Sequence, residues 1–277
     1  MSLQEFRVDR AEAGTRLQDY LADRLTLSRR AAKALLDARH VCVNGRRVWM
    51  AGHALPAGAT VTVLMPASAA APQGVQVLYE DADFLIVDKP PGLLSNGPGS
   101  MEERLRQARA DTRLMAAHRL DRDTSGCLLI ARHPAALDLA IRLFAEHKVS
   151  KEYRAIVHGR LHPADQTLDR PLDGQPAITR VRTLNAAAKA SHLTIFTLTG
   201  RTHQIRLHLA GIRHPVLGDR EYGPKRDLDP GTMAVPRQML HAWRLRLTHP
   251  TTGHTISVSS KLPKDFLDCL RTCGLKD

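Results

Sequence analysis

Leu17, Leu21 and Leu25 recur at helical spacing behind Thr15 and Gln18, whose T-x-x-Q pattern predicts a capping box and a short amphipathic helix. Ser28 predicts the cap of a second helix, on which Arg29, Arg30 and Lys33 are neighbours at three- and four-residue spacing and form one basic face. In VCVNGRRV, Asn44-Gly45 stands between β-branched residues, the signal of a two-residue hairpin, and TVTVLMP reads as a further strand. PASAAAPQG follows, without charge or large apolar side chains, as a linker does. The pattern divides the chain into residues 1–66, a linker over 67–78, and 79–277.

In the longer part, VQVLYEDADFLIVDKPPG reads as two apolar strands around a polar turn. Lys89-Pro90-Pro91-Gly92 ends the second strand, because proline lacks the donor a ladder needs. Ser100 and Glu103 make another capping box for a helix through EERLRQARA, and Leu137, Ile141 and Phe144 line a further helix. KEYRAIVHG, AITRVRTL, SHLTIFTLT and AWRLRLTHP read as strands, the last with Trp243, Leu245 and Leu247 alternating against Arg244 and Arg246. GRTHQIRLHLAG is helical by Ile205 and Leu209 and stops at Gly211. Hairpin-like strands with few helices predict an α+β fold, a mixed and largely antiparallel sheet behind a small α/β unit. The stretch from Arg160 to Gln175 carries no clear pattern.

Charge narrows the partners. Forty Lys and Arg against 28 Asp and Glu leave +12 over 277 residues, and the surplus is mostly Arg, whose planar fork pairs with phosphate. A nucleic acid is the expected partner, rather than a membrane surface. Aromatics are only 4%, so a groove paved with stacking rings is not expected. Cys42, Cys127, Cys269 and Cys273 contain no C-x-x-C pair, against a zinc ribbon or a disulfide framework. His203 and His208, five apart, would face different sides of a helix, so no metal site is expected. No apolar run reaches the roughly 18 residues of a membrane span, and MSLQEFRVDR lacks a signal peptide's apolar stretch. A cytoplasmic protein is expected.

The densest polar cluster is His118-Arg119-Leu120-Asp121-Arg122-Asp123-Thr124-Ser125-Gly126, running at once into the apolar strand CLLIA. A polar loop feeding a buried strand is where a rigid scaffold presents reactive groups. A carboxylate beside two arginines is held in its charged form and can serve as nucleophile or base; a salt-bridged turn would look the same. H-R-L-D inverts the kinase H-R-D-L, and neither a Gly-rich loop before a strand lysine, nor D-F-G, nor a Walker loop is present. An aspartate-nucleophile hydrolase stays open, although nothing marks a second catalytic carboxylate.

HRLDRDTSG lies behind KPPG and ahead of KEYRAIVHG, TGRTHQIRLHLAG, PVLGDREYG and LHAWRLRLTHP, six motifs in one order. In this the chain resembles the RluA family of RNA pseudouridine synthases over about residues 79–260. The amino-terminal unit, two small helices and a hairpin, resembles the S4 RNA-binding domain. The resemblance implies Asp121 as catalytic nucleophile, Tyr153 stacking on the target base, and Arg206 holding the aspartate by a salt bridge. It also implies Leu240 packed beneath the base and Arg119 against the RNA where the nucleotide leaves the stack. His203, one turn before Arg206, is assigned to lining the phosphate or aspartate side. Arg29, Arg30, Lys33, Arg46 and Arg47 would share one phosphate-tracking face. The reaction implied needs no cofactor. Its substrate would be structured RNA, large-subunit ribosomal RNA ahead of transfer RNA; the alternative is a noncatalytic RNA-binding protein on the same scaffold. Nothing in the sequence sets the oligomeric state.

Overall fold

The computed structural model of the protein describes residues 2–65, 74–225 and 234–277. The chain forms two compact units, Met1–Ala69 with Gly218–Arg237, and Ala70–Leu217 with Gln238–Asp277. Residues 66–73, most of the expected linker, lie outside the described residues. The segment 218–237, which the sequence division left inside the longer part, groups with the amino-terminal unit.

In the first unit, β1 (Ser2–Arg7), β2 (Val41–Val43), β3 (Arg46–Arg47) and β4 (Thr60–Met65) form an antiparallel sheet in the order β1-β4-β2-β3. Asn44 and Gly45 carry φ of 49° and 70°, the two positive angles a tight hairpin turn requires. Helices α1 (Leu17–Arg24) and α2 (Arg29–Asp37) cover the sheet, burying Leu17, Tyr20, Leu21 and Leu36 against Val41, Val61 and Val63. Ser28 caps α2 as expected, its Oγ accepting from Ala31 N at 3.2 Å. The box on Thr15 and Gln18 does not form. The carbonyls of His53 and Ala51 take the N–H groups of Leu17 and Gln18 at 2.8 and 3.1 Å, so tertiary partners satisfy the helix start and leave the Gln18 amide to donate to Arg29 O.

The second unit is a ten-stranded sheet. Its strands are β5 (Val77–Glu80), β6 (Phe84–Lys89), β7 (Met115–Ala116), β8 (Ser125–Ala131), β9 (Ser150–His158), β10 (Asp165–Leu168), β11 (Thr179–Ala186), β12 (Ala190–Thr197), β13 (Leu240–Thr248) and β14 (Thr255–Ser259). The main path runs β10-β11-β12-β9-β13-β8-β6-β5, with β14 on β13 and β7 on β8. Its pairs are antiparallel except β13 with β8, which run parallel at His241↔Ser125 and Ala242↔Gly126. The fold is α+β with a largely antiparallel sheet.

Both faces of β6 and β8 are buried, which explains their continuous apolar sequences. Phe84, Ile86, Cys127 and Leu129 pack toward Ala136, Ala140 and Leu143 of helix α4 (Pro134–Ala145). Leu85, Val87, Leu128 and Ile130 pack toward Met101 and Leu105 of helix α3 (Met101–Arg109). Of the expected line, Leu137 and Phe144 pack half-buried against the first of these clusters, beside the fully buried stripe, while Ile141 departs from it at 51% exposure. Helix α5 (Gln204–Gly211) contacts β11, and helix α6 (Lys264–Thr272) closes the chain with Phe266 against the rings of His192 and His241.

Candidate active site

The loop before β8 is fixed at nearly every residue. The buried Ser95 hydroxyl holds both backbone groups of Leu120, accepting from its N at 2.8 Å and donating to its O at 3.0 Å. Lys89, with no exposed surface, donates to the carbonyls of Pro90, Leu93 and Arg122 at 3.0, 2.7 and 3.0 Å. The K-P-P-G turn thus holds the carbonyl next to Asp121. On the other side Gln238 donates to Thr124 Oγ1 at 2.8 Å, and Ser125 Oγ lies 2.9 Å from His241 Nδ1. Gly126 has φ +112°, and a Cβ there would sit 2.2 Å from Ala242 O, so only glycine lets β8 and β13 run so close.

His118 accepts the Leu129 N–H on Nε2 at 3.0 Å, and burial together with nearby Lys151 pushes its pKa down to about 3. It is a neutral anchor for the loop, not an acid. Held in this way, Asp121 presents a carboxylate whose side chain is 20% exposed.

Two residues of the H-Q-I-R motif meet that carboxylate. Arg206 Nη1 donates to Asp121 Oδ2 at 3.2 Å, and His203 Nε2 lies 3.8 Å from Oδ1. His203 is not one turn back on the helix as expected; it is the N-cap of α5, with φ 53°. The other polar residues of the motif hold the helix. Gln204 donates to Ile178 O and Thr179 Oγ1 and accepts from Thr199 Oγ1 and Arg201 N. His208 pairs with Thr179 Oγ1 and Arg170 O at 2.9 Å each.

Asp121, Arg206, His203, Tyr153, Leu240 and Arg119 all line one cleft of about 590 Å³. Tyr153 comes from β9, opposite a bulge that shifts the register of β13 between His241 and Arg244; bulges of this kind re-aim side chains beside active sites. Burial, and then the charge of Asp121, push the Tyr153 pKa far up, so its phenol stays neutral. Leu240, the first residue of β13, is buried at 3% exposure, while Arg119 is exposed. Ile141, Phe144 and Lys151 also line the cleft. Lys151 donates to Thr199 O at 3.1 Å, and burial pulls its pKa down to about 8. The arrangement can place a planar group between an aromatic ring and an aliphatic side chain, with an arginine-held carboxylate at its edge.

Sequence reading passed over Ser95, Lys89, His118, Lys151, Gln204 and Gln238. Lys89, His118, Lys151 and Gln204 stand inside the ordered motifs, whereas Ser95 and Gln238 lie in loops with no pattern of their own.

The five expected RNA cations lie in the first unit but do not form one free face. Arg29 pairs with Asp19 at 2.9 Å and Lys33 with Asp37 at 2.8 Å, while Arg30 and Arg46 are exposed. Arg47 departs from the expectation: it is only 8% exposed, and burial depresses its pKa, so it packs inside the unit instead of facing solvent.

The RNA pseudouridylate synthase family model matches residues 83–211, and the S4 domain model matches residues 15–61. The chain is 32% identical to an uncharacterised RNA pseudouridine synthase of Mycobacterium bovis, over 94% of each chain. It is 31% identical to the ribosomal large subunit pseudouridine synthase C of Vibrio cholerae, over 92% of each. Among solved structures, human RNA pseudouridylate synthase domain containing 1 superposes with a TM-score of 0.60 at 28% identity, covering 76% of this chain and 90% of that one. With the loop, the cleft and the S4 unit in place, the chain belongs to the RluA family of RNA pseudouridine synthases, enzymes of the isomerase class.

Proposed function

We propose that this enzyme converts uridines of structured RNA to pseudouridine with Asp121 as the nucleophile, acting in the cytoplasm on large-subunit ribosomal RNA ahead of transfer RNA. The observation that carries the reading is the Asp121 carboxylate, held 3.2 Å from Arg206 Nη1 in a cleft that Tyr153 and Leu240 also line. The name of the Vibrio cholerae relative favours ribosomal RNA over transfer RNA. The N1–C1′ bond breaks, the uracil turns while held in the cleft, and C5 bonds to C1′; C5 gives up its proton and N1 gains one, with no net redox change. A uridine must first leave its stack, at a cost of a few kcal/mol, roughly. Stacking on the Tyr153 ring returns about 1–3 kcal/mol of that. Arg206 orients the carboxylate for its attack, the bond Asp121 forms is broken again before pseudouridine leaves so that the carboxylate is regenerated, and Leu240 supports the face of the base away from the ring. The noncatalytic alternative gains nothing from a half-buried carboxylate held by a buried arginine, which a binding scaffold has no need to keep paired.

Tritium release from RNA labelled at C5 of uridine tests this. Release from ribosomal RNA with far less from transfer RNA supports the whole reading. Release from transfer RNA alone overturns the substrate, and no release from either overturns the activity.

A further inference from the structure

Among the described residues of the first unit, Trp49 is an exposed aromatic ring outside the core. Trp49 follows β3 and is 43% exposed, beside Met50 at 62%. The Arg39 guanidinium lies over its ring, 5.1 Å from the centroid, and the Lys225 ammonium over it at 5.8 Å. Two separate pieces of chain make this group. Arg39 Nη1 donates to Arg220 O at 3.3 Å and Arg47 N to Lys225 O at 3.0 Å, so residues 220–225 are held beside the β2–β3 hairpin. Arg29 and Lys33 form exposed ion pairs with Asp19 and Asp37; Arg39 and Lys225, by contrast, make no ion pair with any described residue.

We propose that Trp49 is a stacking site for an unpaired RNA base, with Arg39 and Lys225 taking the phosphates that flank it. An exposed ring offers every base an equivalent face once the long side chains lying over it swing out onto phosphate, and cations held so close select a ligand that alternates planar groups with negative charge. Duplex RNA keeps its bases stacked on one another, so the ligand is a loop, bulge or single-stranded end. The net charge of +12 argues for a polyanion over an apolar peptide. This deepens the RNA-substrate reading and rests on it. The competing role is a clamp in which Trp49 only holds residues 220–225 in place.

The test uses the full chain with Trp243→Phe, which leaves Trp49 as the single tryptophan of the two. Its emission is followed during titration with a short oligouridylate and with a blunt RNA duplex carrying as many phosphates. Oligouridylate quenches the emission and the duplex does not. Trp49→Ala weakens oligouridylate binding about 5- to 150-fold, the equivalent of the usual stacking contribution, and leaves duplex affinity within about twofold. Trp49→Phe, which keeps a ring, retains most of the affinity. Emission unmoved at saturating oligouridylate overturns the site, as does equal weakening toward both RNAs, the signature of the clamp. Tritium release by the unaltered enzyme, run in parallel, separates the two readings: quenching without release sinks the activity and spares the site, and release without quenching does the reverse.

Discussion

Acid should loosen the catalytic unit through the histidine that anchors its catalytic loop. His118 accepts the Leu129 N–H, so protonation would break that bond and bury a charge near Lys151; its pKa falls from 6.5 to about 3. Between those values the unfolded chain binds one more proton than the folded one, so the stabilisation is fully present above pH 6.5 and is lost as pH falls. At about 1.4 kcal/mol per pH unit once the unfolded histidine is protonated, going from pH 6.5 to roughly 4.5 costs about 2 kcal/mol at this one site. Gln in its place can accept the same N–H and has no proton to gain. Urea unfolding with His118 and with His118→Gln across this range, both in a Trp49→Phe background so that the emission followed is that of Trp243, measures the difference while other acid-sensitive groups cancel. The variant should show a pH dependence shallower by about one proton. Parallel curves would mean that His118 titrates normally and that its role as a neutral anchor is wrong.

Two further substitutions test the geometry. Gly126→Ala would place a Cβ 2.2 Å from Ala242 O at a positive φ, so it should cost about 4 kcal/mol or more and lower the melting temperature sharply; a wild-type melting curve would contradict the close β8–β13 approach. Arg206→Gln removes a charge-assisted hydrogen bond worth about 1.5–3 kcal/mol, so single-turnover product formation should fall roughly 10- to 150-fold with RNA affinity little changed; unaltered turnover would mean that Asp121 needs no partner.

Elements that fold by local rules were legible in the sequence. Asn44-Gly45 announced its hairpin, Ser28 and Ser100 their helices, and the alternation of Trp243 to Leu247 its strand. β1 and β14 were missed although each pairs with a strand that was read, because their short segments find order only in that pairing. α6 had a usable signal in Phe266, Cys269 and Leu270 behind Pro263. Thr15 and Gln18 misled because backbone carbonyls of residues 51 and 53, remote in sequence, supplied what the capping box would have. Asp121, Tyr153, Arg206 and Leu240 were named through their motifs, and the structure brings them to one cleft. The Lys89 and Ser95 clamps were out of reach, since a hydrogen bond to a main-chain carbonyl leaves no mark on the identity of the residue that carries it. Likewise, a cation pattern cannot distinguish the exposed Arg46 from its buried neighbour Arg47.

The central claim is that the Asp121 carboxylate performs the chemistry, and Asp121→Asn tests it most directly. The amide nearly preserves the shape of the side chain, so fold and RNA affinity should persist. Single-turnover pseudouridine formation on ribosomal RNA, measured beside filter binding of the same RNA, should drop by several orders of magnitude, roughly, because a neutral amide is no nucleophile. Turnover within about tenfold of wild type, with binding intact, would contradict the account and move the chemistry to another group in the cleft.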